Sequence, residues 1–293
     1  MLIAQITDLH LGFDPDNPAE FNRKRLNQVI RAFCDMDRKP DILFATGDLV
    51  DRGDRDSYRR LKSALAAAPC PVWLAVGNHD VRSNFRAVFP TMPEADGFIQ
   101  YVLDLEPLRF IVIDTLEEGR HGGAFCRTRS AWLRARLAEE PHKPTVIVLH
   151  HPPIETGIGW MTTDPAEPWV SELEGALAGH NQIVGLICGH IHRSIVTSWA
   201  GRQLAICPST APQVALTLAE MDPETPDGRP MIVADPPAYA LHYWNGQALV
   251  SHFDNADEHI VLARFDASMQ PLVQSLMAER PDPSAPAMRR KAG

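Results

Sequence analysis

The chain has 293 residues, 45% of them hydrophobic, and a formal net charge of -9. That apolar fraction can build a sizeable core, and the length suits one large domain or two small ones. The acidic balance, with no concentrated basic patch, argues against a protein that grips a nucleic-acid backbone through clustered Lys and Arg.

In chain order, residues 2–7 read as a strand. The spacing of Leu26, Val29, Ile30 and Phe33 predicts a helix with one buried stripe, whose Lys/Arg-rich stretch from Arg23 to Arg31 is expected to be a solvated face. Residues 41–46 form a second predicted strand, Tyr58, Leu61 and Leu65 mark a second helix, and residues 72–76 form a third strand. Residues 98–103 and 109–114 predict a hairpin turning near Pro107. Ser130 is the expected cap of a helix carrying Leu133 and Leu137. Strands follow at 146–149 and 183–188, with a short helix over 171–177 between them. This alternation predicts a layered α/β architecture. The texture then changes to strands at 204–206, 238–244 and 248–253, the last two joined at Asn245-Gly246, a strong hairpin signal. Residues 221–237, rich in Pro, Asp and Gly, read as a long loop, and the chain from Pro281 onward as a disordered tail.

The five cysteines show no CxxC spacing, which disfavours a disulfide framework and fits a reducing compartment. The apolar N-terminus lacks a basic leader and is interrupted by Asp8 and His10, so a strand is expected there rather than a signal peptide. No apolar run is long enough to span a bilayer, and a soluble cytoplasmic protein is expected.

The informative feature is where the polar residues fall. Predicted strands run into Asp8-Leu9-His10, Gly47-Asp48-Leu49-Val50-Asp51, Gly77-Asn78-His79-Asp80, His150-His151 and Gly189-His190-Ile191-His192. Ligand sites in open α/β sheets lie beyond the carboxyl ends of strands, so these segments can converge on one cleft. Residues i and i+2 of an extended segment point the same way, which lets Asp8 and His10 grip one ion. Glycines 47, 77 and 189 permit tight turns and close backbone approach just before each donor. Carboxylate, imidazole and amide oxygen donors together suit Mn, Fe, Co or Zn.

The ordered set DxH, GDxxD, GNHD, H and GHxH, from Asp8 to His192, resembles the calcineurin-like metallophosphoesterase superfamily. The resemblance implies a four-layer α/β/β/α sandwich with a small strand-rich C-terminal cap. It implies two divalent transition-metal ions, one held by Asp8, His10 and His192, the other by Asn78, His150 and His190, with Asp48 bridging them. His79 matches a histidine that sits by the phosphate, with Asp80 expected to orient it and Asp51 to lend support. A metal-bound hydroxide is the implied nucleophile.

Within that superfamily the chain looks most like the bacterial branch of class III cyclic nucleotide phosphodiesterases and glycerophosphodiesterases. Compact length, the DLH opening, Arg82 after GNHD, and the segment 208–214 carry this narrower resemblance. It implies a small phosphodiester as substrate, cyclic nucleotides first and glycerophosphodiesters next, with Asn78, His79, His121 and Trp160 as substrate-facing residues. A broad phosphomonoesterase and a non-catalytic scaffold of the same fold are the alternatives. No nucleic-acid or membrane partner is expected, and a homo-oligomer is implied by the family. The expected organisation is a catalytic core over residues 1–211, a cap or hairpin segment over 212–265 packing on the core or on another subunit, and a C-terminal helix and tail over 266–293.

Overall fold

The computed structural model describes residues 1–280. Met1–Asp257 is one compact unit and Glu258–Gly293 a second, whose described part carries the helix α6 (Gln270–Ala278). The tail expected from Pro281 lies outside the described residues.

The first unit contains β1 (Leu2–Ile6), α1 (Phe21–Asp35), β2 (Ile42–Thr46), α2 (Arg55–Leu65), β3 (Val72–Ala75), α3 (Arg82–Val88), β4 (Tyr101–Asp104) and β5 (Arg109–Val112). It continues with α4 (Arg127–Glu139), β6 (Thr145–Val148), α5 (Pro168–Leu177), β7 (Ile183–Cys188), β8 (Ile195–Trp199), β9 (Arg202–Ile206), β10 (Gln213–Val214), β11 (Ile232–Val233), β12 (Ala238–Trp244) and β13 (Leu249–Asn255). One sheet has the order β13-β12-β1-β2-β3, and a second has the order β4-β5-β6-β7-β9-β8; β10 and β11 pair separately.

Period-two alternation builds four layers from these elements. Along β2, Ile42 and Phe44 enter a core shared with Phe110, Val146, Val148 and Ile187 of the second sheet, while Leu43 and Ala45 face Leu26, Phe33, Tyr58 and Leu61 of α1 and α2. Along β6, Val146 and Val148 enter the inter-sheet core and Ile147 faces Leu133 and Leu173 of α4 and α5. The ring centroids of Phe44 and Phe110 lie 4.9 Å apart and join the two sheets. Strands covered on both faces read as continuous apolar runs, which is why β2 and β6 are legible in the sequence. Truncating a buried aromatic such as Phe44 to Ala costs about 3–5 kcal/mol in a core of this kind.

Within residues 212–265, β12 pairs antiparallel with β1 from Leu2↔Tyr243 to Gln5↔Ala240, and β13 pairs with β12. β12 takes the side of β1 that β2 leaves open, which chain order alone does not reveal. Two expectations need correction. Ser130 is not a cap, because α4 begins a turn earlier and the Ser130 N–H donates to the Cys126 carbonyl at 2.9 Å. Its first turn, Arg127-Thr128-Arg129, is polar and invisible to hydrophobic periodicity. Finally, Arg25 is not part of a solvated face; it is 4% exposed. No helix among the described residues is long and apolar enough to cross a membrane.

Candidate metal centre

In the first sheet β1, β2 and β3 run parallel, and in the second β5, β6 and β7 do. The loops after β1, β2 and β3 meet those after β6 and β7 and bring their polar residues together. The local geometry differs from the extended segment expected for Asp8 and His10. Asp8 (φ +51°), His10 (+43°), Asp48 (+47°), His190 (+75°) and His192 (+55°) all occupy the left-handed region. Non-glycine residues reach it only when surrounding structure holds them there, and such strain concentrates at functional sites. Here the restraint includes backbone bonds from Asp8 N–H to the Gly47 carbonyl (3.0 Å) and from Leu9 N–H and His10 N–H to the Asp48 carbonyl (2.8 and 3.0 Å). Gly77 has no room for a side chain, since a Cβ would fall on the carboxylate and backbone nitrogen of Asp48.

Hydrogen bonds fix the histidine tautomers. A carbonyl oxygen only accepts, so each ring nitrogen facing one must carry the proton. His150 Nδ1–H donates to the Thr46 carbonyl at 2.8 Å, His192 Nδ1–H to the Pro212 carbonyl at 2.8 Å, and His79 Nδ1–H to the Asp51 carbonyl at 2.8 Å. Each ring is left with Nε2 for other chemistry, the arrangement in which metal-binding histidines are held by backbone carbonyls. His150 Nε2 lies 3.3 Å from Asp48 Oδ2 and 3.2 Å from Asn78 Oδ1. His192 Nε2 lies 3.4 Å from Asp8 Oδ1 and 3.2 Å from His10 Nε2. Two imidazole nitrogens facing each other at that distance need a proton or a metal ion between them. Asp48 stands between the groups, with Oδ2 3.3 Å from His150 and 3.8 Å from His10 and with Oδ1 accepting the His79 N–H at 2.9 Å. Buried His190 Nδ1 has no hydrogen-bond partner.

Electrostatics point the same way. Asp8 and Asp48 are 0% and 2% exposed, and among the described residues no lysine or arginine pairs with either. Burial opposes charge on Asp48, yet His150, His10 and His79 hold its carboxyl well below the ordinary range. Burial likewise opposes charge on His150, but Asp48 and Asp8 push it up to about 9. Burial, then the neighbouring His150 and His121, drive His190 well below the ordinary imidazole range. Two buried carboxylates, imidazoles with open nitrogens and one amide oxygen are a donor set that fits transition-metal ions. The groups able to share an ion are Asp8, His10 and His192; Asp8, Asp48 and His150; His10, Asp48 and His79; and His150, His151 and His190.

The sequence-predicted residues are thus brought together, with differences. The hydrogen bonds of the Asp80 carboxylate go to groups other than the His79 ring. Its Oδ2 accepts the N–H groups of Gly77 (2.8 Å) and Leu49 (3.2 Å), and its Oδ1 accepts the Tyr58 hydroxyl (2.8 Å), so it braces the loops. The carboxylate beside His79 Nδ1 is that of Asp51, at 3.8 Å. Arg82 is spent on the buried Asp114 carboxylate at 2.7 and 2.8 Å and on the Leu116 carbonyl. His151 joins the cluster by burial, its Nδ1 2.8 Å from Thr115 Oγ and its Nε2 without a partner. Trp160 and His121 both line the cavity of about 190 Å³ over the centre, and His121 Nδ1 lies 3.3 Å from Asn78 Nδ2.

Sequence reasoning missed the backbone acceptors, which carry no side-chain signature, and Arg25. The Arg25 guanidinium donates to the carbonyls of Thr210 (2.8 Å), Ala211 (3.1 Å) and Asp235 (2.7 Å). That segment supports the centre directly: Ser209 Oγ–H and Ala211 N–H donate to the Asp8 carbonyl at 2.9 and 3.1 Å, and Pro212 orients His192.

Residues Asp8 to His192 lie within the part of the chain that is similar to known proteins. The family model for calcineurin-like phosphoesterases matches residues 1–194. A probable glycerophosphodiester phosphodiesterase of Arcobacter nitrofigilis is 28% identical over 258 residues, covering 86% of this chain and 92% of the relative. A probable cyclic nucleotide phosphodiesterase of Rhodopseudomonas palustris is 34% identical over 74% of this chain and 81% of its own length. The 3',5'-cyclic adenosine monophosphate phosphodiesterase of Escherichia coli K12 is 30% identical over 72% of this chain and 76% of its own. Among solved structures, a dimetal phosphatase from Danio rerio superposes with a TM-score of 0.62 at 15% identity, covering 89% of this chain and 98% of that one, a likeness of fold.

Proposed function

Because the chain belongs to the calcineurin-like phosphoesterase family, we propose that it hydrolyses small phosphodiesters at a centre of two divalent transition-metal ions, with 3',5'-cyclic nucleotides as the lead substrate class and glycerophosphodiesters next. The observation that carries this is the convergence of buried Asp8 and Asp48 with imidazole nitrogens left open by carbonyl-bonded partners. Asp8, His10 and His192 would hold one ion, Asn78, His150 and His190 the other, and Asp48 would bridge them. When bound, the ions supply Lewis acidity: they make hydroxide available near neutral pH and neutralise charge on the phosphoryl oxygens.

The chain's own residues do the remainder. His79 lines three cavities that border the centre, and its side chain is 37% exposed, so a substrate reaches it. With Nδ1–H given to the Asp51 carbonyl, Nε2 is the atom that holds a proton for the departing oxygen as water displaces it from phosphorus. Charge favours diesters. A diester phosphate carries one negative charge and a monoester nearly two. The nearby guanidinium groups are already engaged, Arg52 with Asp51, Arg82 with Asp114 and Arg120 with Glu117 and Glu167.

The test is metal removal and a substrate panel. Chelation should abolish hydrolysis of bis(p-nitrophenyl) phosphate, and added Mn or Zn should restore it; activity in metal-free protein overturns the proposal. At fixed metal content, cyclic AMP should be cleaved faster than a glycerophosphodiester and both faster than p-nitrophenyl phosphate. A preference for the monoester would overturn the diester assignment.

A further inference from the structure

The metal-facing cavity is flanked on two sides by clefts of opposite character. One, of about 370 Å³, is polar and lies between Arg52, Asn78, Arg120 and His121. The other, of about 710 Å³, shares His10, His79 and His192 with the centre and extends outward between Phe13, Phe21, Pro212 and Ile232. Phe13 is 66% exposed and Phe21 55%, and neither belongs to a core cluster; the Arg25 guanidinium lies over one side of the Phe21 ring, 5.3 Å from its centroid, and the exposed remainder of both rings lines the cleft.

The loop that presents Phe13 and the start of α1 that presents Phe21 are anchored. The Glu20 carboxylate accepts the N–H groups of Gly12 (2.6 Å) and Asp14 (3.0 Å), and the Asn22 amide donates to the His10 carbonyl at 2.9 Å. The two phenyl rings are therefore tied, through Glu20 and Asn22, to a residue of the centre. Two exposed aromatic side chains lining one cleft beside the centre, on anchored backbone, suit a flat ring, because an anchored backbone lowers the ordering cost of stacking. The volume lies within the usual range for a small-molecule site.

We propose that this cleft is a specificity subsite for an aromatic substituent of the phosphodiester, a nucleobase or an equivalent planar ring, stacked against Phe13 and Phe21. This rests on the phosphodiesterase reading of the metal centre and names the chemical class that the centre selects. A glycerol arm offers nothing to stack, so the cleft favours ring-bearing esters over glycerophosphodiesters.

The experiment compares the metal-loaded wild type with Phe13→Ala, Phe21→Ala and the double variant, on cyclic AMP, bis(p-nitrophenyl) phosphate and glycerophosphoglycerol, whose two arms carry neither a ring nor a cation that could bind an aromatic face. Base–aromatic stacking contributes enough that each truncation should raise KM for the two ring-bearing esters about tenfold while kcat changes less than about twofold. Glycerophosphoglycerol kinetics should not move. Phe13→Tyr combined with Phe21→Tyr should keep the wild-type KM, and Phe13→Leu combined with Phe21→Leu should not. Equal loss on all three esters, no change on any, or full rescue by Leu overturns the proposal. Calorimetric binding of the slowly hydrolysed phosphorothioate analogue of cyclic AMP separates the two levels. Binding that weakens about tenfold in the double variant supports the subsite even if no ester is turned over, an outcome that removes the reaction instead. Turnover without any effect of the phenylalanines on binding removes the subsite and leaves the reaction.

Discussion

The ring of His79 is held by the backbone of Asp51, its Nδ1–H donating to the Asp51 carbonyl oxygen at 2.8 Å. A backbone acceptor fixes the tautomer whatever side chain position 51 carries. His79→Ala should therefore lower kcat by about 100-fold or more with metal content unchanged, whereas Asp51→Asn, which keeps the carbonyl, should cost about tenfold or less. Asp80→Asn should act on a different quantity: it weakens the brace to Gly77, Leu49 and Tyr58 and lowers unfolding free energy by about 1–3 kcal/mol. Steady-state kinetics, metal analysis and denaturant melts read these separately. Unchanged turnover in His79→Ala would remove its catalytic role.

Asp48 reaches both halves of the cluster, 3.3 Å from His150 and 3.8 Å from His10. Asp48→Ala should lose both ions, since each half loses its shared carboxylate. Elemental analysis after desalting decides this, and two retained ions would contradict the bridging role.

Arg25 lies one residue layer behind the centre, holding the carbonyls of Thr210 and Ala211. Arg25→Met should loosen Pro212 against His192 and the support under Asp8, weakening the ion that Asp8, His10 and His192 would hold about 10- to 100-fold. Arg25→Lys, with fewer and less directed donors, should recover only part of this. Metal titration by calorimetry is the measurement; wild-type affinity in Arg25→Met would show that the segment is held without it.

His242 sits in β12 with Nε2 2.9 Å from Gln5 Oε1 and Nδ1 2.8 Å from Ser251 Oγ. Burial, then the nearby His252 ring, lowers it to about 3. Its unfolded value is near 6.5, so below that pH the unfolded chain binds a proton that the native state refuses. Its stability contribution is complete above about pH 6.5 and is lost as pH falls towards 3, about 2 kcal/mol between pH 7 and 5. Urea melts of metal-free protein should show this loss, and His242→Gln should be flatter over the same window. Equal slopes for the two proteins would assign the acid sensitivity elsewhere.

In the sequence, apolar runs alone identify the strands that are buried on both faces, because β2 and β6 are apolar apart from Thr46 and Thr145, and their place after such runs marks Asp8, His10, Asp48, Asn78, His79, His150, His190 and His192. The sequence by itself could not assign β12 to the first sheet, since a strand's partner is chosen by which edge lies open in space, and β12 closes on β1 from the far end of the unit. Nor could it find what orients the histidines. Thr46, Asp51 and Pro212 act through carbonyl oxygens that every residue possesses, so no residue type announces them. Arg25 shows the same limit: in a basic helix it looks like one more solvated charge, and only the packing of α1 against Thr210, Ala211 and Asp235 makes it a buried support. The donor atoms were written in the chain, and the tertiary structure decided which nitrogen of each ring is free to use.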